Sequence, residues 1–340
     1  MKIYHSFILL LTAAFILGSC GKPSTPESLK DNKYTGGYKI VKKFPTTGFA
    51  QDIVIKDHLA YIAQGEVGLM IVDVSDPASP KELSTTTDNV RGYSAKIAMK
   101  DTVVYLAAGS FGVTALNVSD PGHPVVTAPN ISIKPAKNLF VNGDYLFTAI
   151  SEQGVKIADI SYPTQPDPRG KTPTAGYARD IKVNPDTTKM LVACGEMGLA
   201  IYDITGFQEG FGEYPLLNNC NTPGYTEAVA INKDKSIAYM ACGTSGLQIL
   251  DYSDISNVHI VGSCDEGGYA KDLLYENGRI YMTTELGGLQ IIDVKDASNP
   301  YLIGTVLTEY ALSLDIDDKY VYVADESEGL IVILIPEDAL

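Results

Sequence analysis

The sequence predicts an all-β, seven-bladed β-propeller, closed by an N-terminal outer strand that completes the last blade. Three observations carry this. A Leu-x-Ile-x-Asp-like segment recurs at 69–73, 113–117, 155–159, 199–203, 247–251, 289–293 and 330–334. Each copy follows a hairpin glycine (Gly68, Gly112, Gly154, Gly198, Gly246, Gly288 and Gly329), and their spacing of 41 to 48 residues suits one four-stranded blade. The apolar runs are nearly continuous, as in strands covered on both faces, and the Gly, Pro and β-branched content disfavours helical repeats.

The chain opens with Lys2 and an apolar run at 7–17, too short to span a bilayer and suited to the core of a secretory signal. Leu17-Gly18-Ser19-Cys20 behind it resembles the lipobox of bacterial lipoproteins, which implies cleavage before Cys20 and lipidation of that residue. The alternative is an ordinary secretory signal with a chance cysteine. Residues 1–19 are therefore read as a lipoprotein signal peptide, 20–37 as a lipidated flexible tether, and 38–340 as the propeller. The tether carries Pro23, Ser24, Pro26 and Ser28 with few large apolar residues, and fully extended it reaches about 55 to 60 Å. The expected address is the cell envelope, at the outer membrane. Gly21-Lys22-Pro23 after the cysteine leaves the side of the membrane open.

The sixth unit displays its strands most plainly, with A at 271–275, B at 279–284, C at 289–294 and D at 301–308. Asn277-Gly278, Leu286-Gly287 and residues 296–300 separate them. Ala63, Ala107, Ala193 and Ala241 let neighbouring blades approach. The seventh unit stops at 334 after strand C, whereas 38–44 reads as a strand D with nothing before it. Pairing the two removes exposed sheet edges and ties the chain ends together. Asp73, Asp159, Asp203, Asp251 and Asp293 end the C strands, where Asp side chains close turns by accepting backbone N–H groups. Unit four has a glycine-rich stretch at 206–212 instead of the Asp-Pro turn. It lacks the Lys-Ser/Thr ending and helix of a phosphate cradle, and reads as an elongated loop.

These repeats, with Asp73-Val74-Ser75-Asp76-Pro77 and Pro80, Asn117-Val118-Ser119-Asp120-Pro121 and Pro124, and 293–296 with Pro300, resemble the LVIVD-repeat family of bacterial and archaeal cell-surface propellers over 38–336. The resemblance implies a β-propeller at the cell envelope. It implies no settled activity and supplies no catalytic residues.

Formal net charge is -15, so phosphate backbones and anionic headgroups are repelled. Nucleic acid is set aside, as is membrane contact beyond the anchor. Strand order puts the D-to-A links and B-to-C hairpins on one face. The links carry Phe49, Tyr93, Tyr177, Tyr225, Tyr269 and Tyr310, with Pro135 in the third. Three residues further along lies the ring Asp52, Lys96, Asn138, Asp180, Ala228, Asp272 and Ser313, accompanied by Gln51, Lys137, Arg179, Glu227 and Lys271. The hairpins add Glu66, Glu152, Glu196, Glu285, Glu326 and Glu328. The ligand-binding candidates are Asp52, Lys96, Asp180, Asp272, Tyr93, Tyr177, Tyr225, Tyr269, Glu66 and Glu196. Each has a structural alternative: tyrosines as plugs between blades, aspartates bonded to a neighbouring blade's amides, and glutamates as a solvated rim.

The expected function is a non-catalytic binding or scaffolding module for an envelope protein or glycan. The alternative is a glycan-directed hydrolase or lyase using Asp52, Asp180 and Asp272, for which two acids suffice and which calcium would assist. No other cofactor is implied. His58, His123 and His259 all fall off the carboxylate-rich face, and no His-Glu-x-x-His, Gly-x-Ser-x-Gly or Walker loop occurs. Asp315, Asp317 and Asp318 lack the glycine and distal Glu of a calcium loop. Outside the cytoplasm, Cys194, Cys220, Cys242 and Cys264 permit two disulfides. Pseudo-symmetry favours Cys194 with Cys220 and Cys242 with Cys264, against four free thiols.

Overall fold

The repeated unit folds as four antiparallel strands because its two hairpins and one Asp-closed turn each reverse the chain. The computed structural model describes residues 34–209, 212–232, 234–265 and 267–339. The segment expected to be a signal peptide, Cys20 and the expected tether as far as 33 lie outside the described residues. Among those described, 28 strands form seven four-stranded antiparallel sheets. Blades 1 to 6 begin at the channel with A strands Asp52–Lys56, Lys96–Lys100, Asn138–Asn142, Asp180–Val183, Ala228–Asn232 and Asp272–Glu276. Blade 7 contributes Ala311–Ile316, Tyr320–Asp325 and Gly329–Leu334, and Lys39–Phe44 pairs antiparallel with the last of these as its outer strand.

Alternation along a C strand feeds two cores at once. In Leu69–Asp73, Leu69 and Ile71 pack with Val104, Leu106 and Leu116 of blade 2, while Met70 and Val72 pack with Tyr322 and Val332 of blade 7. Both faces are therefore apolar, which is why the sequence reads as an uninterrupted run. The hairpin glycines all have positive φ, from 63° to 92°, and a Cβ there would collide with a carbonyl oxygen of the outer strand, Thr172 in the case of Gly154. The C-strand aspartates close their turns as expected, Asp73 Oδ1 accepting from Ser75 N at 2.9 Å and Asp251 Oδ1 from Ser253 N at 2.8 Å. All seven C–D pairs carry a register shift, which twists the outer strand at the exposed edge.

Neighbouring blades are joined near the mouth by single antiparallel backbone bridges: Gly65 to Ser94, Gly109 to Ala136, Ser151 to Ala178, Gly195 to Thr226, Gly243 to Ala270 and Glu285 to Ala311. Among the described residues, the junction of blades 7 and 1 has none. Tyr34 to Gly37, assigned to the tether by sequence, are seated on blade 6. Thr305 N donates to the Tyr34 carbonyl at 2.9 Å, and Gly304 lies against Thr35 and Gly36. The elongated loop of blade 4 turns back inward, burying Phe207 against Tyr145 and Phe147.

The four cysteines are free thiols, so the expected pairs are not formed. Each pair leaves opposite faces of its blade. Cys194 packs with Phe147 and Ile181, and Cys220 with Leu199 and Val229. Cys242 likewise joins the second of these clusters, and Cys264 packs with Tyr239 and Leu273 beyond the other face. Burial pushes the Cys194 thiol up to about 12.

Candidate functional site at the channel mouth

The first residue of the A strand in blades 1 to 6 (Asp52, Lys96, Asn138, Asp180, Ala228 and Asp272) and Ser313, the third residue of that strand in blade 7, come together around the channel. Asp52 and Asp180 are 6% and 3% exposed, and each latches its blade to the next. Ile97 N donates to Asp52 Oδ2 at 2.8 Å and Val229 N to Asp180 Oδ2 at 3.0 Å. Lys96 reaches across the channel, its Nζ donating to Asp272 Oδ2 at 2.7 Å and to Asp52 Oδ1 at 3.3 Å. The Ser313 hydroxyl lies within hydrogen-bond distance of both carboxylates and can donate to one at a time. Asn138 Nδ2 donates to Asp180 Oδ1 at 3.0 Å.

Burial pushes the Asp52 carboxyl up despite Lys96, with the nearby Asp272 charge adding to the rise. Burial also opposes ionisation of Asp272, but the Lys96 ammonium and the hydrogen bonds from Lys96 and Ser313 hold its carboxyl below the usual range. For Lys96, burial works against the charge and the two aspartates outweigh it, so its pKa is raised. The ammonium thus occupies the space between Asp52 and Asp272 that a metal ion would need. Among the described residues no cluster of three or more His, Cys, Asp or Glu is arranged to hold a metal.

This ring plugs the channel. Toward the A-to-B turns lies a chamber of about 510 Å³, walled by Val54, Ala98, Phe140 and Leu274 with Lys182 and Asp315 among them. Lys182 Nζ stands 5.3 Å from the Phe140 ring centroid and 3.3 Å from each Asp180 oxygen. Asp315 Oδ2 accepts from Ile55 N at 2.7 Å, latching blade 7 to blade 1, and burial pushes its carboxyl up to about 6.

On the other side of the plug a cavity of about 250 Å³ opens at the mouth, lined among others by Gln51, Lys137, Arg179, Glu227 and Lys271. Arg179 donates from Nε at 2.8 Å and Nη2 at 2.5 Å to Glu227 Oε2. Lys271 Nζ at 3.3 Å and the Tyr269 hydroxyl at 3.1 Å share Glu227 Oε1. Lys137 is exposed and makes no ion pair among the described residues. The acids predicted for this mouth are there, but Asp52, Asp180, Asp272 and Glu227 are bonded within the protein, and the groups facing the cavity are largely cationic. The sequence placed Gln51, Lys137, Arg179, Glu227 and Lys271 on this face without separating them from the acids.

Of the link aromatics, Phe49, Tyr93 and Tyr177 stand 59%, 39% and 53% exposed, whereas Tyr225 and Tyr269 are half-buried. The rings of Tyr93, Tyr225 and Tyr269 lie against Gly65, Gly195 and Gly243 of the preceding blade, so these tyrosines also fill the gaps between blades. Before Tyr177 the equivalent position is Ser151. Glu66 and Glu196 are exposed on their hairpins. At the unbridged junction of blades 7 and 1 a groove of about 440 Å³ is lined by Phe49, Tyr93, Glu66, Glu326, Glu328 and the buried Gln64.

The LVIVD repeat family matches this chain at residues 47–88, 135–172, 223–266, 267–308 and 310–335, more than half of its length. No curated protein matches. Among solved structures, the crystal structure of the computationally designed Ika8 protein is similar, with 10% identity, 88% of this chain and 100% of that chain covered, and a TM-score of 0.63. At that identity the likeness concerns the fold alone. The five matched segments fall on blades 1, 3, 5, 6 and 7, and the chain belongs to the LVIVD-repeat family.

Proposed function

We propose that this protein is a lipid-anchored, non-catalytic binding or scaffolding module of the cell envelope, held at the outer membrane through Cys20. Its partner, a protein or a glycan, docks on the face that carries the channel mouth. The observation that supports this most directly is the ring of exposed Phe49, Tyr93 and Tyr177 on a rigid rim around a plugged channel. Aromatic rings held by strands supply contact area at little entropic cost. The ring carboxylates speak less well for a hydrolase or lyase. Asp52 and Asp180 accept backbone amides, and Asp272 is held by Lys96, so an acid and base pair would have to break blade-to-blade bonds first.

Cross-linking of intact cells followed by mass spectrometry, with the native protein beside a Phe49→Ala, Tyr177→Ala variant, tests the docking face. Loss of one dominant partner in a variant of unchanged melting temperature is the expected result. An unchanged partner list removes this face from consideration. For the anchor, Cys20→Ser is expected to abolish labelling by a radioactive fatty acid and to release the protein from the membrane fraction. Persistent labelling would exclude Cys20 as the lipidated residue.

A further inference from the structure

The charge distribution at the mouth restricts what it can recognise. The chain carries a formal net charge of -15, yet the 250 Å³ cavity is lined by Lys96, Lys137, Arg179 and Lys271 with Glu227 as the one carboxylate. Lys96 is satisfied by the aspartates beneath it, and Glu227 is shared by Arg179 and Lys271. Donors remain. The exposed Lys137 ammonium makes no hydrogen bond or ion pair among the described residues and has Glu152 as a more distant charged neighbour, Arg179 Nη1 makes no hydrogen bond there, and the amide nitrogen of Gln51 is buried without an acceptor. A buried donor left unpaired is a standing penalty that an incoming acceptor relieves. Gln51 Nε2 is a donor of this kind, and together with the more open Lys137 and Arg179 Nη1 around the same cavity it favours an anion with two or more oxygens.

The rim has the opposite character. Glu66, Glu326 and Glu328 stand beside Phe49 and Tyr93 in the adjoining groove, and Glu196 beside Tyr225. Carboxylates next to exposed aromatic faces accept hydroxyl protons while the rings cover C–H faces, an arrangement that suits pyranose rings and repels an acidic polypeptide. We propose that the mouth is the carboxylate subsite for an acidic saccharide of the uronic-acid type. Lys137, Arg179 Nη1 and Gln51 Nε2 hold the carboxylate, and adjoining sugar rings lie on Phe49, Tyr93 and Tyr177. This rests on the proposed binding role of the same face and specifies its ligand.

Isothermal titration calorimetry of the soluble body from residue 34 onward would omit the anchor, so the full lipidated protein in detergent micelles is the sample. The probes are tetramers of galacturonic and of glucuronic acid, a neutral glucose tetramer, and a tetra-aspartate peptide. At least one uronate is expected to bind, weakening tenfold or more in Lys137→Gln and in Gln51→Leu, with Lys81→Gln on an outer strand as a charge-matched control that leaves affinity unchanged. Circular dichroism melting that is unaltered in both variants separates lost binding from lost folding. Equal binding of neutral and acidic tetramers, insensitive to Lys137→Gln, overturns the carboxylate subsite and leaves the binding module intact. Binding of the peptide in preference to every sugar overturns the saccharide and keeps the anion site. No binding by any uronate overturns the inference even where cross-linking has found a protein partner.

Discussion

Lys96 stands between two carboxylates from blades that do not adjoin each other, and its ammonium opposes the burial penalty on both. Breaking a largely buried ion pair from one side costs about 3 to 5 kcal/mol, because the remaining charges lose their partner. Lys96→Met is therefore expected to lower stability by about 3 kcal/mol at pH 7.5. The loss should shrink at pH 4.5, because without the ammonium the buried carboxylate pair takes up a proton and its repulsion is relieved; urea unfolding at the two values checks it, and an equal loss at both would show that the aspartates are not the cause. Asp315 provides a second test. Its folded-state carboxyl is raised to about 6 from 3.8. The folded state therefore holds the proton more tightly, so the stabilisation is complete below pH 4 and is lost as pH rises through 6. At about 1.4 kcal/mol per pH unit the ceiling is about 3 kcal/mol. In Asp315→Asn that portion of the slope between pH 4 and 6 should vanish. The sequence located all these residues, since each begins or follows the start of an A strand. It could not give their partners: Lys96 and Asp272 are 176 positions apart and meet only because a seven-membered ring sets blade 2 across from blade 6.

At the scale of the blade, what the sequence reveals is whatever the two-residue period and the turn chemistry fix locally. Strands, hairpin glycines and Asp-closed turns were legible for that reason. Less legible were features decided by packing on another element. Strand D of blade 6 ends at Val306 where sequence extends it to 308, and Tyr34 to Gly37 lie on that blade although nothing in their composition distinguishes them from the tether. The cysteine pairing failed for the same reason. Pseudo-symmetry identifies equivalent positions, but a disulfide needs side chains on one face, and alternation sends Cys194 and Cys220 to opposite faces. The hairpin glycine allows a direct test of the local argument. Gly154 has φ of 90°, and a methyl group would meet the Thr172 carbonyl and the backbone of Pro173 and Thr174. Gly154→Ala is expected to cost about 2 to 3 kcal/mol, the sum of a strained backbone and a displaced outer strand. Gly143→Ala is the comparison, because it shares a positive φ of 56° but meets nothing within 4 Å. Equal losses in thermal melts would assign the effect to φ alone.

For the whole ring, the question is where the chain is interrupted. Blades contact one another through side chains and single bridges, whereas within a blade consecutive strands share a full backbone ladder. The natural break lies inside blade 7, between Gly329–Leu334 and Lys39–Phe44, where five registered pairs hold the two ends of the chain together. Opening the ring there requires stripping a strand from a sheet, a far more cooperative event than separating two blades. Among the described residues the junction of blades 7 and 1 lacks the bridge present at the other six, and it is held instead by the link 45–51, the Asp315 latch to Ile55 N and the contact of Ser313 with Asp52. Gly37 packs against Pro336, so the ends are near enough for a short Gly/Ser linker and the idea can be tested by circular permutation. A permutant opened between Asp120 and Pro121, in the C-to-D turn of blade 2, keeps one blade shared between the termini. One opened between Asp88 and Asn89, in the link from blade 1 to blade 2, leaves every blade continuous and closes the ring through side chains and one bridge. The first should unfold in urea at a rate within about threefold of the parent. The second should unfold at least tenfold faster, since separating two blades exposes less surface before the barrier than removing a paired strand. Equal rates for the two permutants would mean that blade-to-blade packing alone closes the ring and that the borrowed strand adds no kinetic protection.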